Sequence, residues 1–274
     1  MPTLFLVGTP IGNLEDISLR ALRILKEVGL IAAEDTRKTG RLLKHYDINT
    51  SLISFHDYSS QEKVNKLVNE LVSQDVALVS DAGMPGLSDP GYRLVRAAID
   101  AGVQVEPIPG PSAAVAALVS SGLPTDRYLY LGFLPRQSSG RRAALEEISR
   151  APYTLLFFEA PHRLIDFLED ALQILGDRQV CCAREITKLH EEIWRSSLSQ
   201  ALAHFKQATI KGEITLVISG SSEMDEPWKE ELIHRALLEL LHQGLSRKDA
   251  AAAVAEDSGW RKRQLYKIAL ELEL

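Results

Sequence analysis

The chain has 274 residues, of which 45% are hydrophobic and 25% charged, and its formal net charge is −6. This composition is typical of a globular protein of about two domains. It excludes a chain that is basic throughout, although a local basic surface remains compatible with it. The start of the chain lacks a basic segment and no run of about 18 apolar residues occurs. We therefore expect a cytoplasmic protein without a signal peptide or transmembrane helix.

The first part of the chain alternates short apolar runs with amphipathic helical patterns. Five apolar runs, "LFLVG", "LIAAE", "SLISFH", "VALVS" and "VQVEPI", are each followed by such a pattern. Apolar strands that alternate with helices indicate a mainly parallel sheet covered on both faces. We predict an N-terminal α/β domain over residues 1–122.

The pattern changes near Pro124. Four further apolar runs, "YLYLGFL", "YTLLFFEA", "QVCCARE" and "EITLVISG", with helices at 138–149, 162–175 and 198–207, predict a second α/β domain over residues 123–222. Cys181 and Cys182 are neighbours that close no useful loop, so they indicate a buried strand rather than a redox or metal site. Residues 223–274 predict a small helical appendage. The predicted fold class is α/β, with two α/β domains and this appendage.

Three loops at predicted strand ends combine glycine and proline with small residues. They are "VGTPIGN" from Val7, "VALVSDAGMPGLSDPG" from Val76 and "PIPGPSAAVAA" from Pro107. Ligands of open parallel sheets bind beyond the carboxyl ends of the strands, and glycine lets a ligand approach the backbone. The alternative is that each loop is a tight structural turn. The absence of a GK[ST] ending or a GxGxxG pattern disfavours a nucleoside triphosphate or a nicotinamide cofactor.

Polar side chains follow several of the predicted strands. Glu34, Asp35 and Arg37 follow the second strand, where they could form a helix cap with an ion pair or orient a hydroxyl nucleophile. Two later groups are Glu159, His162 and Arg163 in "FFEAPHRL", and Arg184, Glu185, Thr187, Lys188 and His190 in "AREITKLHEE". No His or Cys spacing supports a metal site, and no GxSxG motif supports a serine hydrolase.

Basic residues form three clusters in this acidic chain. They are Arg37, Lys38, Arg41 and Lys44; Arg136, Arg141, Arg142 and Arg150 around a Ser-Gly loop; and Arg247, Lys248, Arg261, Lys262, Arg263 and Lys267 in the last segment. Such runs are usually solvated faces. Three of them together favour a phosphate-rich partner.

Seven motifs then occur in a fixed order: "GTPIGNLEDISLRAL", "AEDTRKTGRLL", "SDAGMPGLSDPG", "PIPGPSA", "GFLPR", "EAPHRL" and "REITK". Together they closely resemble the tetrapyrrole methylase-like family, the class III S-adenosylmethionine-dependent methyltransferases. Within that family, the chain is most similar to the members that act on ribosomal RNA. The resemblance covers about residues 3–220 and, weakly, the helical segment.

The resemblance implies a cofactor, a substrate and a set of site residues. The implied protein is a homodimer with S-adenosylmethionine folded into the cleft between its two α/β domains, and S-adenosylhomocysteine is the product. The implied reaction is 2′-O-methylation of a cytidine ribose in the decoding region of 16S rRNA in the small ribosomal subunit. By matching positions, the cofactor contacts are Pro10, Ser80, Asp81, Ala82, Gly83, Ser112 and Ala113, together with Glu159, Glu185, Ile214 and Thr215.

Methyl transfer from sulfur to a ribose hydroxyl needs alignment, and the weak nucleophile needs a base or a polarising group. The candidates, which the sequence does not rank, are Glu34, Asp35, Arg37, Glu185 and Lys188. No metal is required. We expect RNA phosphate contacts from Arg136, Arg141 and Arg142 in the Ser-Gly loop, and from Arg261, Lys262 and Arg263. The last helices could dock on RNA like a helix-turn-helix reader or cap the second domain.

Two other functions remain open at this point. The chain could be a methyltransferase of the same fold that acts on a tetrapyrrole. It could also be a non-catalytic ribosome assembly factor, although a pure RNA binder would not need the small-residue loops.

Overall fold

The computed structural model describes residues 2–56, 58–221 and 228–272. The chain divides into two compact units, one of Met1–Glu146 with Thr154–Ser219 and the other of Glu147–Tyr153 with Gly220–Leu274. The first unit holds both β-sheets that the described residues form, and the second holds the last helices. The finer division at residues 122 and 222 stays a prediction.

The first half of the first unit is a parallel sheet. Its strands are β1 (Thr3–Val7), β2 (Leu30–Ala33), β3 (Ser51–Ser54), β4 (Val76–Val79) and β5 (Gln104–Ile108). They lie in the order β3-β2-β4-β1-β5, and every pair is parallel. The helices are α1 (Leu19–Glu27), α2 (Thr36–His45), α3 (Gln61–Glu70), α4 (Tyr92–Asp100) and α5 (Ala113–Ser121).

Alternate residues of these strands enter two different cores. Ile31 and Ala33 of β2 belong to the core that includes α1 and α2. Leu30 and Ala32 of the same strand belong to the core that includes α3 and α4. Because successive side chains of a strand point to opposite faces, the sheet is covered on both faces, and the prediction of a mainly parallel, doubly covered sheet is confirmed.

The second half of the first unit is a mixed sheet. Its strands are β6 (Tyr128–Phe133), β7 (Thr154–Glu159), β8 (Gln179–Arg184), β9 (Glu192–Ser197) and β10 (Ile214–Ile218), in the order β6-β7-β10-β8-β9. Only the β6–β7 pair is parallel. The helices are α6 (Ser138–Glu147), α7 (Leu164–Leu175) and α8 (Leu198–Gln207). Helix α5 of the first half packs into a core with β7, β8 and β10 of this sheet, so it joins the two halves.

Two details of the second half were tested directly by the structure. Cys181 and Cys182 are free and buried within β8, which confirms the prediction of a buried strand. Strand β9 was not predicted. It lies at the edge of the sheet and pairs with β8. An edge strand can be short and polar, and the sequence "EIWRSS" therefore lacks the apolar run by which the other strands were predicted.

The placement of Arg141 in a Ser-Gly loop was wrong, whereas the helix predicted at 138–149 is present. The segment is the first part of α6, and Arg141 is only 3% exposed. Its Nη2 atom lies 2.6 Å from Oδ2 of Asp170 in α7, and Nε of Arg142 lies 2.6 Å from the other carboxylate oxygen. Arg141 can be buried because Asp170, which is distant in the sequence, supplies the counter-charge that a buried cation needs.

The second unit has an apolar core of its own. Helices α9 (Glu230–His242), α10 (Arg247–Asp257) and α11 (Lys262–Glu271) pack around buried residues that include Ile233, Leu237 and Leu265. The predicted helical segment is therefore confirmed. Across the described ranges, every helix is too short or too polar to span a bilayer.

Candidate active site

A cleft of about 300 Å³ lies where the loops that follow β1, β4 and β5 face the second sheet. These three loops emerge side by side, because β1 lies between β4 and β5 and all three strands run in the same direction. Seven of the sequence-predicted cofactor residues line the cleft: Ala82, Gly83, Ser112, Ala113, Glu159, Ile214 and Thr215. Pro10 and Asp81 lie next to lining residues in the chain, and Ser80 lies two residues before Ala82, but none of the three lines the cleft.

Glycine is needed where these loops meet. A Cβ atom on Gly8 would lie 2.7 Å from Cα of Gly110, so neither residue can carry a side chain without a shift of the backbone. Gly83 has a φ of +82° and forms two backbone hydrogen bonds with Thr9, of 2.9 and 3.0 Å. The loops are therefore tight turns, and Ala82 and Gly83 of the second loop also line the cleft. The two alternatives predicted for these loops, a structural turn and a ligand-binding surface, are therefore compatible.

The N-terminus of α5 forms one wall of the cleft. Ser112 is its N-cap, and its side chain accepts a hydrogen bond from the N–H of Val115. Because the first turn of a helix has N–H groups without intrahelical partners, this wall suits an uncharged or anionic part of a ligand. Ser112 and Ala113 both line the cleft.

Glu159, the last residue of β7, places a buried carboxylate at the opposite wall. It is 2% exposed, and its Oε1 accepts a hydrogen bond of 2.7 Å from the N–H of Ala160. Nε of Arg163 lies 3.2 Å from the same oxygen, whereas Oε2 has no hydrogen-bond partner among the described residues. Burial raises the pKa of Glu159. A buried acceptor without a partner is costly, so this oxygen is suited to a cationic or hydrogen-bonding ligand.

A first polar cluster is centred on Asp81. Its Oδ1 accepts from the N–H of Asp35 at 3.0 Å, and its Oδ2 accepts from Nζ of Lys38 at 2.7 Å. The N–H of Asp81 donates to Oε2 of Glu34 at 3.2 Å. These bonds connect the loop after β2 with the loop after β4.

Asp35 also has a local structural role. It is the N-cap of α2, and both carboxylate oxygens accept from Arg37, at 2.8 Å from the backbone N–H and 2.8 Å from Nη2. The hydrogen bonds from the Arg37 side chain and backbone hold the pKa of Asp35 well below its usual range. The cap and the ion pair expected as one alternative are both present, and the catalytic alternative stays a prediction.

A second polar cluster is formed by the loop between β8 and β9 and by Glu213, which precedes β10. Nζ of Lys188 is 2.8 Å from Oε1 of Glu185 and 2.9 Å from Oε2 of Glu213, which lines the cleft. Glu185 and Thr187 have φ values of 51° and 66°, which is uncommon for residues other than glycine. Backbone strain of this kind concentrates at functional sites.

The second cluster is held against the first half of the unit. The N–H of Asn13 donates to Oγ1 of Thr187 at 3.2 Å, and a Cβ on Gly12 would lie 2.4 Å from Cγ of Lys188. The carboxylate of Asp81 raises the pKa of Lys38, and Glu213 adds a smaller contribution. The two polar clusters therefore lie near enough for Glu213 to affect Lys38. Sequence reasoning missed Asn13 and Glu213.

The remaining predicted residues lie elsewhere. His162 and His190 are exposed and do not line the cleft. Arg136 is exposed and forms no ion pair within the described part of the chain. In the second unit, a shallow pocket is lined by three cations and a tyrosine: Lys248, Lys262, Arg263 and Tyr266.

Comparison with known proteins identifies the family to which this chain belongs. Residues 3–202 match the family model described as tetrapyrrole (corrin/porphyrin) methylases. The chain belongs to the tetrapyrrole methylase family. Residues 228–273 match a second model, described as the RsmI C-terminal HTH domain. The family predicted from the ordered motifs is thus confirmed.

Curated relatives match almost the whole chain. A protein of Halalkalibacterium halodurans is 50% identical over 97% of this chain and 94% of its own length. One from Synechocystis sp. is 46% identical over 100% of this chain and 99% of its own length. One from Escherichia coli O157:H7 is 48% identical over 98% and 94%, respectively. All three are named ribosomal RNA small subunit methyltransferase I.

Solved structures support the fold alone. A diphthine synthase superposes with a TM-score of 0.63 at 15% identity, over 80% of this chain and 90% of its own. A uroporphyrin-III-C-methyltransferase from Thermus thermophilus superposes with a TM-score of 0.54 at 19% identity, over 79% and 94%, respectively.

The cofactor of this tetrapyrrole methylase is S-adenosylmethionine, and the residues of the cleft fit it. Ala82 and Gly83 leave room for a bulky ligand because they carry little or no side chain. The apolar rings of Phe133 and Phe158 and the carboxylate of Glu159 line the same cleft, as a ligand with apolar and charged parts requires. The unpartnered Oε2 of Glu159 supplies an acceptor beside a site for positive charge. The assignment of single residues to the cofactor stays a prediction.

Proposed function

We propose that this chain transfers a methyl group from S-adenosylmethionine to the 2′-hydroxyl of a cytidine ribose in the decoding region of 16S rRNA. The substrate is the small ribosomal subunit or a late precursor of it. One observation carries the proposal: relatives named as small-subunit rRNA methyltransferases match 97–100% of the chain, including its helical unit. The solved uroporphyrin methyltransferase matches only 79%.

The cleft supports this activity through binding and orientation. S-adenosylmethionine, when bound, supplies a methyl group on a positively charged sulfur. Gly83 and the first turn of α5 provide the backbone surface against which the cofactor lies, and Glu159 offsets its positive charge. Holding the donor and the ribose in line removes much of the entropic cost of the reaction.

The candidates for proton transfer differ in their electrostatics. Asp35 is a poor proton acceptor, because Arg37 holds its pKa well below the usual range. Burial by itself would raise the pKa of Glu185, but hydrogen bonds from the Lys188 side chain and the Glu213 N–H outweigh it and lower the pKa. The same hydrogen bond from Lys188 to Glu185, with a second to Glu213, raises the pKa of Lys188. We therefore assign Asp35 and Arg37 to the cap of α2, and Glu185 and Lys188 to positioning. We propose Glu34, whose Oε2 accepts a hydrogen bond of 3.2 Å from the N–H of Asp81, as the proton acceptor.

The partners follow from the same proposal. The basic residues Arg136, Arg142, Arg261, Lys262 and Arg263 contact RNA phosphates, whereas Arg141 is withdrawn because it is buried against Asp170. The protein acts as a homodimer in the cytoplasm.

Ribose-methylation mapping tests the proposal. Small subunits from a strain that lacks the protein are incubated with the purified full chain and S-adenosylmethionine, and the rRNA is mapped for 2′-O-methyl groups. We expect one new ribose methyl group on a decoding-region cytidine. A methyl group on a base would contradict the ribose assignment. Cofactor binding without methyl transfer would favour the assembly factor, and absorbance changes with an added tetrapyrrole would favour the pigment methyltransferase.

A further inference from the structure

We propose that Phe133 is a stacking platform for a nucleobase of the RNA substrate, at the ribose that the cleft methylates. The inference rests on the proposed function and adds the residue that selects a base-bearing substrate. Phe133 ends β6, lines the cleft and is 56% exposed. A large aromatic ring that stays exposed beside a ligand cleft is suited to a planar ligand.

A β-bulge aims this ring into the cleft. Tyr130 pairs with Leu156 of β7 but Gly132 pairs with Phe157, so Leu131 is an extra residue in β6. In a regular strand, Tyr130 and Phe133 would point to opposite faces, because their separation is odd. The bulge brings both onto the face of Phe158, and bulges near active sites commonly redirect a side chain in this way.

The ring is held by neighbouring aromatic residues. Phe133 lies with its centroid 5.6 Å from that of Phe158, and Tyr130 lies 5.4 Å from the same ring. The hydroxyl of Tyr130 is 2.6 Å from Oγ of Ser88, in the loop after β4. A platform whose orientation is fixed in advance loses little entropy when a base stacks on it.

The loop after β4 places a second apolar surface on the same cleft. Leu87 precedes Ser88, is 42% exposed and also lines the cleft. Enzymes that act on an extruded nucleotide hold its base between aromatic and apolar side chains. Three residues after Phe133, the exposed Arg136 supplies a cation without an ion pair in the described residues. This cation is close in sequence to the ring and is suited to a phosphate of the nucleotide whose base stacks there.

The test distinguishes an effect of Phe133 on the RNA substrate from an effect on cofactor binding. Phe133→Ala, Phe133→Leu, Phe133→Trp and the control Tyr128→Ala are prepared as full chains. Tyr128 is also an exposed aromatic residue of β6, at 47%, but it does not line the cleft. S-adenosylhomocysteine binding is measured by calorimetry. The kcat and KM for small subunits from the deletion strain are measured with labelled S-adenosylmethionine.

We expect Phe133→Ala to lower kcat/KM by about 10- to 100-fold, in keeping with the loss of one base stack. Phe133→Leu should remain impaired, Phe133→Trp should restore most of the rate, and S-adenosylhomocysteine affinity should change less than about twofold. Tyr128→Ala should match the wild type. An unchanged kcat/KM in Phe133→Ala would overturn the platform.

A parallel loss of S-adenosylhomocysteine affinity would instead place the ring against the adenine of the cofactor and also overturn the proposal. A changed oligomeric state in size-exclusion chromatography would assign the ring to an interface between copies. If the wild-type protein transfers no methyl group to the subunits, the proposed function itself fails, so the two failures are distinguishable.

Discussion

Arg141 and Asp170 form a buried ion pair between α6 and α7, with Nη2 and Oδ2 2.6 Å apart. Arg142 reaches the other carboxylate oxygen from the surface, where 47% of its side chain is exposed. The two neighbouring arginines therefore have different roles, although the sequence presents them as one basic cluster.

Arg141→Ala should destabilise the fold far more than Arg142→Ala. Removing one partner of a buried pair costs about 3–5 kcal/mol. This corresponds to a melting temperature lowered by roughly 10 °C in a protein of this size. The exposed Arg142 should contribute about 1 kcal/mol or less. Differential scanning calorimetry of both variants measures this, and equal small shifts would contradict the buried pair.

Gly83→Val should abolish cofactor binding, with Gly86→Val as its matched control. Both glycines have nearly the same φ, +82° and +85°, so valine strains both backbones alike. Only Gly83 lines the cleft. Both variants should have a lower melting temperature, and Gly83→Val the lower of the two, because a Cβ on Gly83 would lie 3.5 Å from Ile11 whereas one on Gly86 meets open space. Only Gly83→Val should lose S-adenosylmethionine binding in calorimetry. Retained affinity in a folded Gly83→Val protein would place the cofactor elsewhere.

Glu159→Gln should stabilise the protein at neutral pH and weaken cofactor binding. Burial raises the pKa of Glu159 in the folded state. The folded protein therefore binds more protons than the unfolded chain above pH 4.5, and stability falls as the pH rises through this window. The variant should lack this fall in melting temperature. Its affinity for S-adenosylmethionine should drop about 10-fold or more, through loss of a charged hydrogen-bond acceptor. Wild-type affinity in calorimetry would remove Glu159 from the site.

Glu34→Gln should lower the rate of methylation, whereas Asp35→Ala should lower the stability of the fold. Asp35→Ala removes the cap of α2, so it should have a lower melting temperature and a nearly normal rate per folded molecule. Asp35→Asn should retain the cap. Loss of a proton acceptor should slow single-turnover methylation by about 10²–10⁴-fold in Glu34→Gln. Near wild-type rates in Glu34→Gln would shift the search to Glu185 and Lys188.

The cations at the start of α11 should contribute to RNA binding through phosphates. Replacement of Arg261, Lys262 and Arg263 by Ala should reduce the log–log slope of subunit affinity against salt by about 0.7–0.9 for each lost contact. Cofactor affinity should not change, since the described residues that line the cleft all belong to the first unit. Arg235→Ala, on the exposed surface of α9, is the control. An unchanged salt slope in the triple variant would favour a capping role for these helices.

The sequence by itself determined the parts of the fold that depend on neighbouring residues. Runs such as "LIAAE" followed by "TRKTGRLLKHY" predicted β2 and α2, because hydrophobic periodicity is a local property. The glycine-proline loops were located correctly at the strand ends, and their convergence follows from the common direction of parallel strands. The ordered motifs also identified the family.

Only the tertiary structure decided which of the polar and aromatic residues meet. Arg141 is buried because Asp170, 29 residues further along, supplies its counter-charge, and no local pattern encodes that distance. Phe133 faces the cleft because of one extra residue in the pairing of β6 with β7. The pairing of β8 with β10 places Lys188 beside Glu213, although the two are 25 residues apart in the chain. Such pairings depend on strand register and helix packing, which are fixed by the whole fold rather than by any short segment.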